Sequence, residues 1–283
     1  MPRCSCGCIS ASEKFTGLWV RSLLNWRKQL GGITATLLLL SSLQAQPAKT
    51  PLPALNAPRP GYKFPANQTL TYAVDWRVFP AGTAVFHLEQ DGPIEKISAT
   101  SETSGAVNLI YKVVDHFQSS FNRITGCSLS FSRQISEGHR RVNSNLTFHY
   151  DRKISEFQQI NLADGTKEHK ITPIPNCLTD DLSAIFYPAS QNLAVGQDFA
   201  MPLADVGRTV AVTMKVEDHE TVQTPLGTFQ TIRVQPTADA GVVKNRGNIW
   251  IWYTDDARHI PVQMRARLFW GTITFRLTSI SDK

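Results

Sequence analysis

Long apolar runs are scarce in this chain. The stretch Ile33–Leu43, ITATLLLLSSL, is apolar over eleven residues, short of the ~20 that a membrane-crossing helix needs. An excess of one charge is lacking where it would matter. The chain holds 29 Lys and Arg against 23 Asp and Glu, but residues 1–45 contain five of the bases and one of the acids, which leaves 24 against 22 in the remainder. That balance argues against a body built to grip nucleic acid. The familiar catalytic motifs are also missing: there is no G-x-S-x-G elbow and no H-E-x-x-H. No glycine-rich phosphate loop occurs either, and Gly241 and Gly247 sit in what reads as a long hairpin connection. The seven histidines (87, 116, 139, 149, 169, 219 and 259) include no pair at i, i+2 or i, i+4. A metal site would have to be assembled from distant strands, and no metal or cofactor is expected.

What is present begins with a leader. NWRKQL supplies positive charge, ITATLLLLSSL an apolar segment, and QAQPA a small residue at the end of a cleavage site near Ala45. Residues 1–45 are expected to be a signal peptide with an over-extended start, Val20 being an alternative initiator, and an uncleaved anchor is the rival. No cysteine follows the apolar run, so a lipoprotein anchor is not expected. The CSCGC cluster of Cys4, Cys6 and Cys8 resembles a soft-metal set, but it lies in a segment that is discarded. Cys127 and Cys177 remain, and an even pair in an exported protein reads as a disulfide, with two separate buried thiols as the alternative.

Six prolines fall within 46–66, which predicts an extended linker. From Thr69 onward, period-two alternation recurs between turns. LTYAVDWRV puts Leu70, Tyr72, Val74, Trp76 and Val78 on one face, VAVTMKV does the same for Val210, Val212, Met214 and Val216, and GTITFRLTSI ends the series. About ten strands are expected, in a mostly β fold: a curled antiparallel sheet or partly closed β-barrel with one or two short helices. AVNLIYKV (106–113) is the first break, a short helix or an irregular strand. TDDLSAIFYP is the second, a helix near 180–187 capped by Thr179 or Asp180 and stopped by Pro188.

The order of these segments resembles the bacterial exported family called domain of unknown function 3108. Four motifs carry the resemblance: Ala81-Gly82 in the first hairpin, Asp180-x-x-Ser183-Ala184, Thr224-Pro225-x-Gly227-x-Phe229, and Trp252-x-x-Asp255-Asp256-x-Arg258-x-Ile260-Pro261. It implies an envelope β domain over 67–283 with no established activity. A more distant likeness, of fold only, is to the half-barrel lipoprotein carriers of the periplasm.

Paired acids beside a base could run hydrolysis, and Asp255, Asp256 and His259 are near enough in sequence to raise that alternative. The flanking strands argue for a turn instead, where Asp bonds nearby backbone. Binding is the better expectation. Trp250 and Trp252 share one face of their strand, and with Trp76 they are the candidate contacts for an apolar ligand. The sequence thus predicts a non-enzymatic, exported, periplasmic protein that does not span the membrane after cleavage. It would handle an apolar or lipidic envelope component or, alternatively, act as an adaptor for another envelope protein.

Overall fold

The computed structural model describes residues 52–205, 207–238, 244, 248–268 and 271–282. The expected leader, its Cys cluster and the expected cleavage site near Ala45 lie outside the described residues. Among the described residues no helix is long and apolar enough to cross a membrane.

Among the described residues fourteen strands form one antiparallel sheet, where the alternation had suggested about ten. The first eight are β1 (Gln68–Trp76), β2 (Phe79–Asp91), β3 (Ile94–Thr103), β4 (Val114–Asn122), β5 (Ser128–Glu137), β6 (Arg140–His149), β7 (Ile154–Asn161) and β8 (Lys167–Pro173). The other six are β9 (Phe199–Asp205), β10 (Arg208–Thr224), β11 (Gly227–Thr237), β12 (Asn248–Thr254), β13 (Pro261–Leu268) and β14 (Gly271–Asp282). Interrupting them among the described residues are α1 (Gly105–Ile110) and α2 (Ser183–Phe186), the latter running into a 3-10 turn at Tyr187–Ser190. The order is β8-β7-β6-β5-β4-β3-β2-β1-β14-β13-β12-β11-β10-β9. Two meanders are therefore sewn together where the first strand pairs with the last, Gln68 opposite Asp282.

The sheet is not laddered shut. Its free edges, β8 and β9, are bridged by side-chain and loop contacts: Thr172 Oγ1 donates to Gly207 O at 2.7 Å, and Thr179 forms a parallel bridge with Leu203. β8 is exposed along nearly its whole length and carries Lys167, Glu168, His169 and Lys170, charges that discourage pairing with another chain.

The inner face is filled by the protein's own chain. The connection from β8 to β9 passes through the curl, burying Leu178, Leu182, Phe186, Tyr187, Ala189 and Leu193 against inward residues such as Tyr72, Leu88, Ile97 and Phe121. Inner tyrosines find acceptors, as buried polar ends must: Tyr72 Oη donates to Pro261 O (2.5 Å) and Tyr253 Oη to Ile185 O (2.7 Å).

The proline-rich stretch departs from the expected free linker. Arg59 N donates to Ser190 O, and Tyr187 Oη donates to Asn56 O. Phe64 is buried edge-on against Phe121 with 5.0 Å between ring centroids. Extended backbone cannot satisfy itself, and here the domain supplies the partners, so residues 55–64 form a strap across the end of the sheet where β1 begins.

Candidate functional site

The motif Trp252–Pro261 builds a hairpin end. Asp256 Oδ1 accepts from Thr254 Oγ1 (2.8 Å), Arg258 N (3.0 Å) and His259 N (3.3 Å), while Oδ2 accepts from the Arg258 guanidinium at 2.7 Å. Burial works against its charge, but the hydrogen bonds from Arg258 and Thr254 outweigh it and hold the carboxyl below its ordinary value. Asp255 points elsewhere and pairs with His219 at 3.0 Å. His259 takes a positive φ of 47° and places Nδ1 3.0 Å from Ala189 O and 3.0 Å from Arg59 Nη1. Burial is the main cause that lowers its pKa. These groups shape the turn and receive the strap, and the three do not converge on one point.

Asp180 and Ser183 make a closed knot in the interior. Asp180 Oδ2 accepts from Ser119 Oγ (2.7 Å) and Ser128 Oγ (2.6 Å), and Oδ1 accepts from Leu182 N and Ser183 N, both at 2.9 Å. Asp180 N donates in turn to Ser183 Oγ. Burial pushes the carboxyl's pKa up, and the four donors oppose it. Of the two cap candidates, Asp180 rather than Thr179 accepts from the backbone N–H groups at the start of α2, and it also ties that helix to β4 and β5. Nearby, Cys127 and Cys177 are bonded, joining the β4–β5 turn to the start of the β8–β9 connection.

The glycine motifs answer to backbone geometry. A Cβ on Gly82 would lie 2.0 Å from Glu102 O on β3, so only glycine permits that approach. Gly227 opens β11 with φ +150°, a conformation that other residues avoid.

The three tryptophans do not share a pocket. Trp252 is buried on the outer face of β12, where its Nε1 donates to Glu220 Oε2 at 2.7 Å and the Arg265 guanidinium lies 5.2 Å from the ring centroid. Arg233 joins this cover through ion pairs to Glu217 (2.6 Å) and Glu220. Trp250 is partly buried two residues along. Trp76 shares the Tyr72 face of β1, with the Arg77 guanidinium 5.5 Å from its ring centroid.

Open space of ligand size lies elsewhere, on the outer face of β2 to β7, as a groove of about 740 Å³. Strand register explains its lining. Glu89, Lys96, Ser120, Ser130, Thr147 and Glu156 stand opposite one another in sequence across six strands, as do His87, Ser98, Gln118, Ser132, Asn145 and Gln158. Two unbroken polar rows result, ~24 Å long over five spacings of ~4.8 Å. Short serines in their middle leave the hollow. Sequence reasoning passed over these residues because each is an ordinary outward polar residue, and only pairing aligns them.

A family model described as "Protein of unknown function (DUF3108)" matches residues 71–278. Among solved structures, a β-barrel-like protein of domain of unknown function 1849 from Brucella abortus is 9% identical, with a TM-score of 0.52 over 78% of this chain and 100% of that one. A Bacteroides fragilis protein of YmcC-like fold, proposed in its description to be exported, is 9% identical, with a TM-score of 0.36 over 77% and 98% of the two chains. No curated protein matches the chain. The first likeness is one of fold alone.

Proposed function

The chain belongs to the DUF3108 family, and on that premise we propose that it is an exported, non-catalytic binding protein of the cell envelope, holding the hydroxyl-rich part of an envelope component in the groove across β2 to β7. The observation that carries this reading is the double row of polar side chains. Twelve residues from six strands offer hydroxyl, amide and a few charged groups around about 740 Å³, and a polyhydroxylated chain lying across the strands would meet a donor or acceptor at every step. If that component also carries lipid, the acyl part stays outside the sheet, because the inner face is occupied by the β8–β9 connection.

A non-catalytic role is supported by how the candidate acids are used: Asp256 is engaged in its own turn and Asp255 turns away to pair with His219. Export is supported by the leader and by the Cys127–Cys177 bond, a linkage that persists in oxidising compartments.

Native mass spectrometry of the protein purified from its own host tests the reading. A retained sugar-containing mass is expected, and Ser120→Trp or Ser130→Trp, which fill the groove from the solvent side, should lose it with little change in melting temperature. A clean mass for the wild type, or equal retention by the filled variants, would sink the proposal.

A further inference from the structure

The end of the sheet opposite the strap carries large apolar side chains in water. Val78 (82% exposed) and Phe79 (59%) sit at the β1–β2 turn, and Leu109 (88%), Ile110 (84%) and Tyr111 (50%) sit on and just after α1. The two groups are neighbours, since α1 packs on β2 and Ser104 N donates to Ala81 O at 2.9 Å. The β5–β6 turn adjoins them: a Cβ on Gly138 would lie 2.9 Å from the Tyr111 ring.

α1 is unusual in having no buried residue at all. A six-residue helix is costly to nucleate, and apolar burial normally supplies the compensation, yet here Leu109 and Ile110 stand in water and Val107 is only half-buried. A contiguous apolar patch of this kind marks an interaction surface.

Exposure and charge together identify the occupant. Side chains more than four-fifths exposed are on tips, and a tip suits penetration of a headgroup layer, whereas protein-interface anchors are seated in pockets. The flanking charges are mainly basic. Arg77 precedes Val78, Lys112 follows Tyr111, and Arg140 and Arg141 open β6, against Glu102, Glu137 and the buried Asp115. Glu137 is paired with Arg140 at 3.1 Å. Basic residues beside an apolar tip complement anionic lipid.

We propose that this end docks on the surface of an anionic bilayer, with Val78, Phe79, Leu109 and Ile110 entering the acyl boundary and Lys112 and Arg141 meeting lipid phosphate. The protein would then be peripheral to a membrane, with the groove on β2 to β7 left open to the side. Docking does not depend on the groove's ligand.

The full chain should be sedimented with vesicles of phosphatidylcholine alone and of phosphatidylcholine mixed with phosphatidylglycerol. The apolar leader is the same in every variant, so differences report the tip. Leu109→Asp combined with Ile110→Asp should weaken binding to mixed vesicles by about tenfold or more, with an unchanged near-ultraviolet circular dichroism spectrum. Lys112→Glu with Arg141→Glu should remove the preference for the anionic lipid, and Ser120→Trp should bind like wild type. Equal binding by the Leu109/Ile110 variant overturns the proposal. So does indifference of the wild type to phosphatidylglycerol, or a wild-type dimer that the same variant abolishes.

Discussion

Glu95 is the residue whose surroundings suit its chemistry least. It is fully buried, and neither carboxylate oxygen has a hydrogen-bond partner among the described residues. Burial pushes its pKa up to about 8, opposed by the charge of Arg123. An acid with a raised folded pKa keeps its proton in the folded state after the unfolded chain has lost it, so stability is fully present below pH ~4.5 and is lost as pH rises through about 8. Glu95→Gln should flatten that decline and stabilise the protein at pH 8 by roughly 1–3 kcal/mol, measured by urea denaturation across the range. An unaltered pH profile would contradict this account. Asp180 is equally buried but has four donors, so the same residue class acts there as an anchor. A cap at Thr179 or Asp180 was legible from the helically spaced Leu182, Ile185 and Phe186 that follow, and the structure gives the part to Asp180. Its bonds to Ser119 and Ser128 were not legible, because the partners lie 61 and 52 residues away.

Among the elements, the strap changes most between sequence and structure. Composition made residues 46–66 a spacer, and the prolines do keep it extended, but Tyr62 and Phe64 find the open end of the sheet and Arg59 fastens it. The guanidinium donates to Gln191 O and Ala257 O, both at 2.6 Å, and lies 4.9 Å from the Tyr62 ring centroid. Arg59→Ala should lower stability by roughly 1–3 kcal/mol and speed proteolysis selectively within the strap, as limited digestion followed by mass spectrometry would reveal. The strand count differs for a related reason. Period-two alternation requires one buried face, and β8, exposed on both, has none to show. α1 was the open choice between helix and irregular strand, and the structure resolves it as a helix.

At the scale of the molecule, closure rests on contacts between distant parts of the chain. The Cys127–Cys177 bond closes a loop of 50 residues that contains β5 to β8 and the approach to α2. In the chain-entropy model such a loop contributes about 4 kcal/mol. Reduction should therefore lower the melting temperature by roughly 8–16 °C for a domain of this size, and calorimetry with and without reductant checks it. Because that contribution comes from the unfolded chain, amide protection should fall uniformly on reduction. Faster exchange confined to Leu178–Phe186 would instead show that the bond holds the β8–β9 connection in the native state.

The sequence by itself determined the strands with a buried face, the turns between them, the cap of α2 and the family motifs, because each is a property of residues a few positions apart. Only the tertiary structure decided that β1 meets β14, that the β8–β9 connection fills the curl, that Trp252 lies outside beneath Arg265 while Tyr253 lies inside, and that twelve unremarkable polar residues line up into a groove. The reason is the same in each case. Alternation says that a side chain faces one side of its strand or the other, and it says nothing about which strand, helix or open space will be waiting there.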